Sequence, residues 1–399
     1  MAEWKKVKLG NVVQITSGGT PRKDVKEYYE NGQISWVKTG DLKSKYIFDT
    51  EAKITEAGLN NSSAKIFPEN TLLIAMYGAT IGACSILKIP AATNQACAAL
   101  LPSHDYIPQF LYYYFISRKE KLVSLGVGGA QPNISGAILK SLYVPLPSVN
   151  EQKKIADILG KVSDLITERK QQLEKIDLLV KSRFIEMFGD PVTNPMDWNM
   201  TTIRAVSQRI SDGPFGSNLK SSHYSDNGIR VIRLQNIGVS DFIDNDKVYV
   251  SLEHYETIKK YTVKAGEVVI GTLGEPNLRA CILPYYIFMA INKADCVHFV
   301  PDIDKVDPLF VTEYLNQPAT LELASSSIHG QTRSRISMSQ VAALPIYLPP
   351  LELQYRFAKF AMQTVSLKSE FKQGLYNLEL LYDALINFFF GGLEYEKNL

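Results

Sequence analysis

Gln331-Thr332-Arg333-Ser334-Arg335 sets two guanidinium groups and a primary amide close together in a polar stretch. Such side chains make forked hydrogen bonds: arginine to the two acceptors on a guanine edge, glutamine or asparagine to the donor and acceptor on an adenine edge. In the first half of the chain the same chemistry is offered by Thr20, Arg22, Lys23, Lys38, Thr39, Tyr77, Gln131 and Asn133. In the second half, Gln331, Arg333 and Arg335 are joined by Lys220, Arg230, Arg233, Gln235, Asn236 and Arg279. For any single one of these, a solvated surface group is the plain alternative. The two loops that hold Gln131 and Gln331 nevertheless occupy the same place in an internal repeat, and that coincidence favours a binding role.

Residues for bond-making chemistry are harder to find. The chain has no Gly-x-x-x-x-Gly-Lys-Ser/Thr phosphate loop, and Gly126-Val127-Gly128-Gly129 lacks the strand-to-helix setting of a dinucleotide fingerprint. Asn194-Pro195-Met196-Asp197 is not the Asn/Asp-Pro-Pro-aromatic loop that holds a flipped adenine. A nuclease site starting at Pro301-Asp302 would need a nearby Glu-x-Lys, but Glu370-Phe371-Lys372 lies far along a helix. The five histidines, His104, His223, His254, His298 and His329, are scattered, so neither a Ser-His-Asp site nor a histidine metal centre is supported. We read the chain as non-catalytic, with no cofactor and no metal of its own.

The elements that must position the polar residues occur twice. Trp4 and Trp198 stand 194 residues apart, and Phe188-Gly189 and Phe390-Gly391 stand 202 apart. Between them run matched words: Lys38-Thr39-Gly40-Asp41-Leu42 with Arg233-Leu234-Gln235-Asn236-Ile237, Ala83-Cys84 with Ala280-Cys281, Ile134-Ser135 with Ile336-Ser337, and Leu146-Pro147 with Leu348-Pro349. Residues 1 to about 150 show β-rich runs broken by Gly, Pro and Asn, such as Asn11 to Ile15, Ile34 to Val37, Thr71 to Ala75 and Ser141 to Pro145. The fold class is therefore α/β (mixed α+β): two strand-rich domains, 1–149 and 190–350, alternating with two long helices, 150–189 and 351–392, before a short tail, 393–399.

The helices show themselves by heptad periodicity. Ile155, Val162 and Ile176 recur in phase with Ile158, Leu165 and Leu179, beside a flanking ladder of Leu159, Ile166, Leu173, Val180 and Met187. In the second copy the phases are Phe357, Thr364, Phe371, Leu378 and Leu385, and Phe360, Leu367, Gly374, Leu381 and Phe388. Ile155, Leu159, Val162, Ile166, Leu173, Ile176, Val180, Phe357, Phe360, Leu367, Phe371, Leu378, Leu381 and Leu385 are the candidates for helix pairing or subunit docking. At ~1.5 Å per residue each helix is roughly 55 to 60 Å long. Antiparallel pairing would make the pair a molecular ruler, and inserting one helical turn near Lys170 would lengthen the spanned gap by about one or two base pairs. A stripe wider than one seam favours packing against helices of other subunits.

Composition agrees with a soluble globular protein of two domains: 399 residues, 45% hydrophobic and 21% charged. A net charge of +2 argues against a continuous basic surface, so any binding of nucleic acid needs local positive charge or a partner's contribution. Cys84, Cys97, Cys281 and Cys296 fall as one pair per repeat without metal-ligand spacing and read as reduced core residues in a cytoplasmic protein. No apolar stretch is long enough to span a bilayer, and no secretory leader is evident.

The junction Val144 to Leu159, in which Pro145-Leu146-Pro147 leads into Glu151-Gln152-Lys153-Lys154-Ile155-Ala156, resembles that of the specificity subunits of type I restriction-modification systems. Its second copy is partial: Leu348-Pro349-Pro350-Leu351-Glu352-Leu353-Gln354. Gly18-Gly19-Thr20-Pro21 and Trp36 to Leu42 also resemble that family's target-recognition domains, whereas Ser211 to Ser217 and Arg233 to Ile237 depart from those words. The resemblance implies a subunit without a catalytic centre, in which each domain reads one half of a split, asymmetric target in double-stranded DNA and the helices set the gap. It further implies two adenine-methyltransferase subunits and restriction/translocase subunits as partners, which carry S-adenosylmethionine, ATP and Mg2+. A scaffold that never touches bases, or an orphan or antirestriction-like copy that binds methylation subunits unproductively, are the alternatives. Salt-dependent, sequence-selective DNA binding by the assembled complex separates these readings.

Overall fold

A computed structural model describes residues 4–126, 133–326 and 335–391. The chain forms two compact units, Met1–Lys170 with Gln373–Leu399, and Gln171–Lys372. Both boundaries therefore cut through the long helices, Val149–Phe188 and Leu351–Phe390, rather than falling at their ends. The reason is packing, since each globular core also takes in half of each helix.

In the first unit one sheet has the order Ile15–Ser17, Cys97–Leu100, Leu72–Ala75, Cys84–Leu87, Tyr46–Ile47, and a second the order Lys53–Ile54, Ile34–Val37, Ala91–Thr93, Ile66–Phe67. A ladder of Lys6–Lys8 with Tyr143–Pro145 stands apart. The second unit repeats the plan. Ser207–Ser211, Cys296–Pro301, Val268–Gly271 and Arg279–Ile282 form one sheet, and Tyr224–Ser225, Val248–Val250, Ile229–Ile232, Met289–Asn292 and Thr262–Lys264 the other, with Asn199–Thr202 on Pro345–Leu348 as the ladder. The strand Leu72–Ala75 is buried throughout because side chains alternate between faces. Leu72 and Ile74 enter the core around Phe110 and Tyr114, while Leu73 and Ala75 enter the core around Val37 and Phe67. Val268 and Ile270, against Val269, do the same in the second unit.

Two segments differ from their sequence reading. Asn11 to Ile15 straddles a helical turn, Leu9–Val12, and a strand that starts only at Ile15, because buried Leu9 docks its amide on the Leu142 carbonyl at 2.8 Å and starts the turn there. Ser141 ends a helix, Gly136–Ser141, and only Tyr143–Pro145 is strand. That helix begins where Ser135 Oγ accepts the Ile138 amide at 3.2 Å, a side-chain cap that competes with extended chain. Ser337 caps the matching helix through the Gln340 amide, also at 3.2 Å, so the repeated Ile-Ser words are a buried anchor followed by a helix cap.

Within the first unit the helices run antiparallel. Ile155, Ala156 and Leu159 share a core with Phe390, while Lys170 pairs with Glu379 at 2.9 Å. Phe390 packs edge-on against Phe110 and Tyr114, each at 5.6 Å, and Arg118 donates to its carbonyl. In the second unit Asp177 pairs with Lys368 at 2.7 Å and Phe184 meets Phe357 at 5.4 Å, again antiparallel. Phe188 there takes the role of Phe390, lying 4.9 Å from Phe310.

The buried or half-buried seam runs Ile155, Leu159, Val162, Ile166, Leu173, Ile176, Val180 on one helix and Phe357, Ala361, Thr364, Phe371, Leu378, Leu385 on the other, with Phe360 half-buried beside it. Ile158, Leu165 and Leu179, read as seam partners of Ile155, are exposed, as are Leu367, Leu381 and Phe388. Steps of three and of four from Ile155 both satisfy a heptad, so periodicity alone leaves the choice between Ile158 and Leu159 open.

The glutamines at the two helix entries are structural latches. Gln152 is wholly buried; its oxygen accepts the Ile107 amide at 3.0 Å, and its nitrogen donates to the carbonyls of Asp105 (2.7 Å) and Pro147 (3.0 Å). Gln354 repeats this with the Asp307 amide (2.9 Å) and the carbonyls of Lys305 (3.2 Å) and Pro349 (2.8 Å). At the end of the first helix Gly189 has φ +81°, and a Cβ there would lie 2.6 Å from the Pro195 ring, so glycine is required. All four cysteines are buried free thiols, and burial pushes those of Cys84, Cys97 and Cys296 up to about 12. Among the described residues no helix is long and apolar enough to cross a membrane.

Candidate nucleic-acid interface

In each unit a polar edge forms where parallel neighbours end together. Ile34–Val37 lies parallel to Ala91–Thr93, so Lys38 and Asn94 leave the sheet side by side, tied by Asn94 N–H to the Val37 carbonyl at 3.0 Å. Leu72–Ala75 runs antiparallel to Cys97–Leu100 and delivers Met76 to the Ala96 carbonyl at 2.9 Å, which places Tyr77 next along the edge. Gly18 permits the close crossing of its segment over Thr93, where a Cβ would sit 2.0 Å from the carbonyl oxygen, and Thr20 then donates to Gln95 Oε1. Asn133 closes the edge by an antiparallel bridge to Tyr77. Thr20, Lys38, Thr39, Tyr77 and Asn133 are thus brought together, with Asn94 and Gln95 among them. Lys38 is exposed, and its amide is fixed by Asp41 Oδ2 at 2.8 Å. Lys23 is exposed on the adjoining loop, where Arg22 is spent on Asp24 at 2.6 Å and holds that carboxyl below its usual range.

The second unit builds the same edge from other side chains. Ile229–Ile232 lies parallel to Met289–Asn292, and Lys293 N–H meets the Ile232 carbonyl at 2.9 Å, so Arg233 and Lys293 emerge together. Both face Tyr224: Lys293 Nζ lies 2.9 Å from its hydroxyl, and the Arg233 guanidinium is 5.8 Å from the ring centre. Thr272 docks on the Asp295 carbonyl at 3.2 Å, Leu273 bridges to Arg335, and Arg335 pairs with Asp295 at 3.0 Å. Burial pushes the nearby Asp212 carboxyl up, with Arg335 pulling the other way. Gln235 is exposed on the turn after Arg233, and Lys220 is exposed one short turn before Tyr224.

Three residues that the sequence offered as readers are braces instead. Arg230, 7% exposed, donates to Asp244 Oδ1 and to the Asp246 carbonyl, both at 2.7 Å. Asn236 is buried, accepts the Arg233 amide at 2.9 Å and donates to the carbonyls of Ile243 and Asp246, each at 2.9 Å. Arg279 is committed to four carbonyls, those of Ile237 (2.6 Å), Leu273 (2.8 Å), Pro276 (3.0 Å) and Leu234 (3.0 Å), and burial lowers its pKa. Composition gives no warning of this, because a buried guanidinium or amide that ties loops looks in sequence like one that faces solvent. Gln131, Gln331 and Arg333 lie outside the described residues. Asn94, Gln95, Tyr224, Lys293 and Asp246 were not singled out in sequence; Asn94-Gln95 and Lys293 stand just before the second cysteine of each repeat, a signal that aligning the copies would have exposed.

Among the described residues no group of three His, Cys, Asp or Glu side chains is placed to hold a metal ion. What the edges offer is hydrogen bonding and positive charge on rigid strand ends. That arrangement suits recognition of a polar ligand.

Residues 1–176 match the family model described as the type I restriction modification DNA specificity domain. The chain is 27% identical to the type I restriction enzyme MjaIX specificity subunit of Methanocaldococcus jannaschii, over 99% of this chain and 94% of that protein. It is 28% identical to the EcoR124I/EcoR124II specificity subunit of Escherichia coli over 47% of each. A type I restriction-modification S subunit from M. genitalium shares the fold with TM-score 0.60 at 16% identity, over 96% of this chain and 95% of that one. A chain from a type I restriction-modification structure on complex assembly and conformational transition aligns with TM-score 0.55 at 17% identity, over 98% of both chains.

Proposed function

We propose, for a chain whose amino-terminal 176 residues belong to the type I restriction modification DNA specificity family, that it is the DNA-reading and assembly subunit of a type I system with a split target. The first unit reads one half-site, the second unit the other, and the helices that continue from one unit into the other set the gap. The observation that carries this reading is the duplicated edge: Lys38 and Arg233, Asn94 and Lys293, Tyr77 and Leu273 occupy matching strand exits but differ in chemistry. Matching placement with unlike side chains is what two unlike half-sites require.

Assembly follows from the helices. Ile158, Leu165, Leu179, Leu367, Leu381 and Phe388 remain exposed beside a satisfied seam, and apolar ladders of this kind suit docking by partner helices. The partners are two methyltransferase subunits and, in the complete enzyme, restriction/translocase subunits, in the cytoplasm. Catalysis and its cofactors reside on them.

The test is co-expression with a type I methylation subunit followed by genome-wide mapping of methyladenine by single-molecule sequencing. Two short defined blocks separated by a fixed unspecified gap support the reading. A stable complex that yields no such motif refutes it in favour of a scaffold or orphan role.

A further inference from the structure

We propose that Arg233 reads a guanine in the half-site of the second unit and that Asp246 is the residue that aims it. This deepens the DNA-reading assignment above and rests on it.

Arg233 leaves the end of the strand Ile229–Ile232 on the polar edge. Its Nε donates to Asp246 Oδ2 at 2.7 Å, and its Nη2 donates to Asp246 Oδ1. Tyr224 is its other neighbour, with the guanidinium carbon over the ring, 5.8 Å from the centre. The carboxylate thus takes the Nε–Nη2 edge of the fork. Of the five N–H groups, both on Nη1 and one on Nη2 are left over, and the Nη1–Nη2 edge is the pair that matches guanine O6 and N7.

The aiming group is itself fixed. The Asp246 carbonyl accepts from Arg230 at 2.7 Å and from Asn236 at 2.9 Å, so its loop is pinned from two sides. A plain structural brace explains Arg230, whose side chain is 7% exposed against Asp244. It does not explain Arg233, which keeps 23% of its side chain open beside an Asp246 that is 31% open. The loop is already closed by the first pair, and the second stands at the surface where a ligand would approach. An arginine paired with a carboxylate carries no net charge, so it adds little to general attraction for phosphates and is suited to discrimination. Lys38, the counterpart in the first unit, is an exposed point charge without a planar fork.

The full chain, co-expressed with a type I methylation subunit, is compared with R233Q, R233K and D246N by methyladenine sequencing. Wild type is expected to show guanine at one position of one half-site. R233Q and R233K are expected to cut the preference for guanine there by roughly five- to a hundredfold while every other position is kept. D246N is expected to relax the same position, because its neutral side chain no longer holds both arms of the fork. Thermal unfolding of each variant complex accompanies the mapping, and a purely structural loss would lower methylation at all sites together. Uniform weakening by R233Q with an unchanged motif overturns the proposal in favour of a phosphate contact. An unchanged motif in D246N, with R233Q relaxed, overturns the role of Asp246. A wild-type complex without any split motif fails one step earlier, at the DNA-reading assignment itself.

Discussion

Gln354→Leu tests whether the glutamine of the helix entry is a latch rather than a surface feature. The wild-type amide uses one acceptor and two donors, at 2.8 to 3.2 Å, in a wholly buried setting. Leucine fills about the same space and satisfies none of them. Leaving the Asp307 amide and two carbonyls unmet costs about 1 to 3 kcal/mol each, while the apolar side chain returns roughly 2 kcal/mol, for a net loss of about 1 to 7 kcal/mol. In a unit of this size that lowers the melting temperature by roughly 2 to 28 °C. Thermal unfolding followed by circular dichroism reads it, and hydrogen exchange around Asp307 to Asn316 locates it.

Gln354→Glu sharpens the test. A carboxylate still accepts the Asp307 amide but faces two carbonyl oxygens, so the folded state raises its pKa above the unfolded value near 4.3. The protonated form keeps one donation, and stability is retained below that pH. As pH rises from about 4.3 toward the folded pKa, the loss grows by about 1.4 kcal/mol per unit. A leucine variant that melts within about 1 °C of wild type, or a glutamate variant without this pH dependence, refutes the latch.

Further outcomes follow from other contacts. Glu313 is buried, and burial pushes its carboxyl up to about 6 against help from Ser240, Lys181 and Lys368. Unfolding therefore releases its proton between the ordinary glutamate pKa and about 6; stability is greatest below that window and falls as pH rises through it, so E313Q should gain up to about 2 kcal/mol at pH 7 and nothing at pH 4 in urea unfolding. Phe188→Ala should cost about 3 to 5 kcal/mol, seen as lost exchange protection in the second unit, because its ring is fully buried against Phe184, Phe310 and Phe357. Inserting seven residues into both helices, after Lys170 and before Gln373, preserves the seam and should lengthen the methylated motif's gap by about three base pairs, since a heptad adds ~10.5 Å. Altered half-sites with an unchanged gap would count against the helices as spacer.

The sequence carried the repeat, the fold class and the existence of both long helices, because these rest on patterns that extend over many residues. It resolved less where two local answers share one pattern. Ile158 and Leu159 are both apolar at heptad spacing, and only packing decides that Leu159 is buried while Ile158 is exposed. Asn11 to Ile15 looks β-branched and extended, yet a tertiary bond to Leu142 turns its start into helix. The polar site was legible as a region but not residue by residue. Lys38, Tyr77 and Asn133 do meet at one edge, whereas Arg230, Asn236 and Arg279 are consumed by the carbonyls of surrounding loops.

That consumption bears on how such an edge evolves specificity. In the second unit the braces Arg230, Asn236 and Arg279 hold the loops 234–237, 243–246 and 273–276 in place, and the side chains left open, Arg233, Gln235, Lys293 and Arg335, can change without moving the backbone. In the first unit Asp41 supplies the matching backbone cap, and the open set is Thr20, Lys38, Asn94, Gln95 and Tyr77. One edge is rich in guanidinium and ammonium donors, the other in amides and hydroxyls. Since arginine favours guanine while amides match the donor and acceptor of adenine, two copies of one scaffold with separate braces can hold unlike half-sites. Exchanging an open residue should then alter one base preference, and exchanging a brace should cost stability before it alters any.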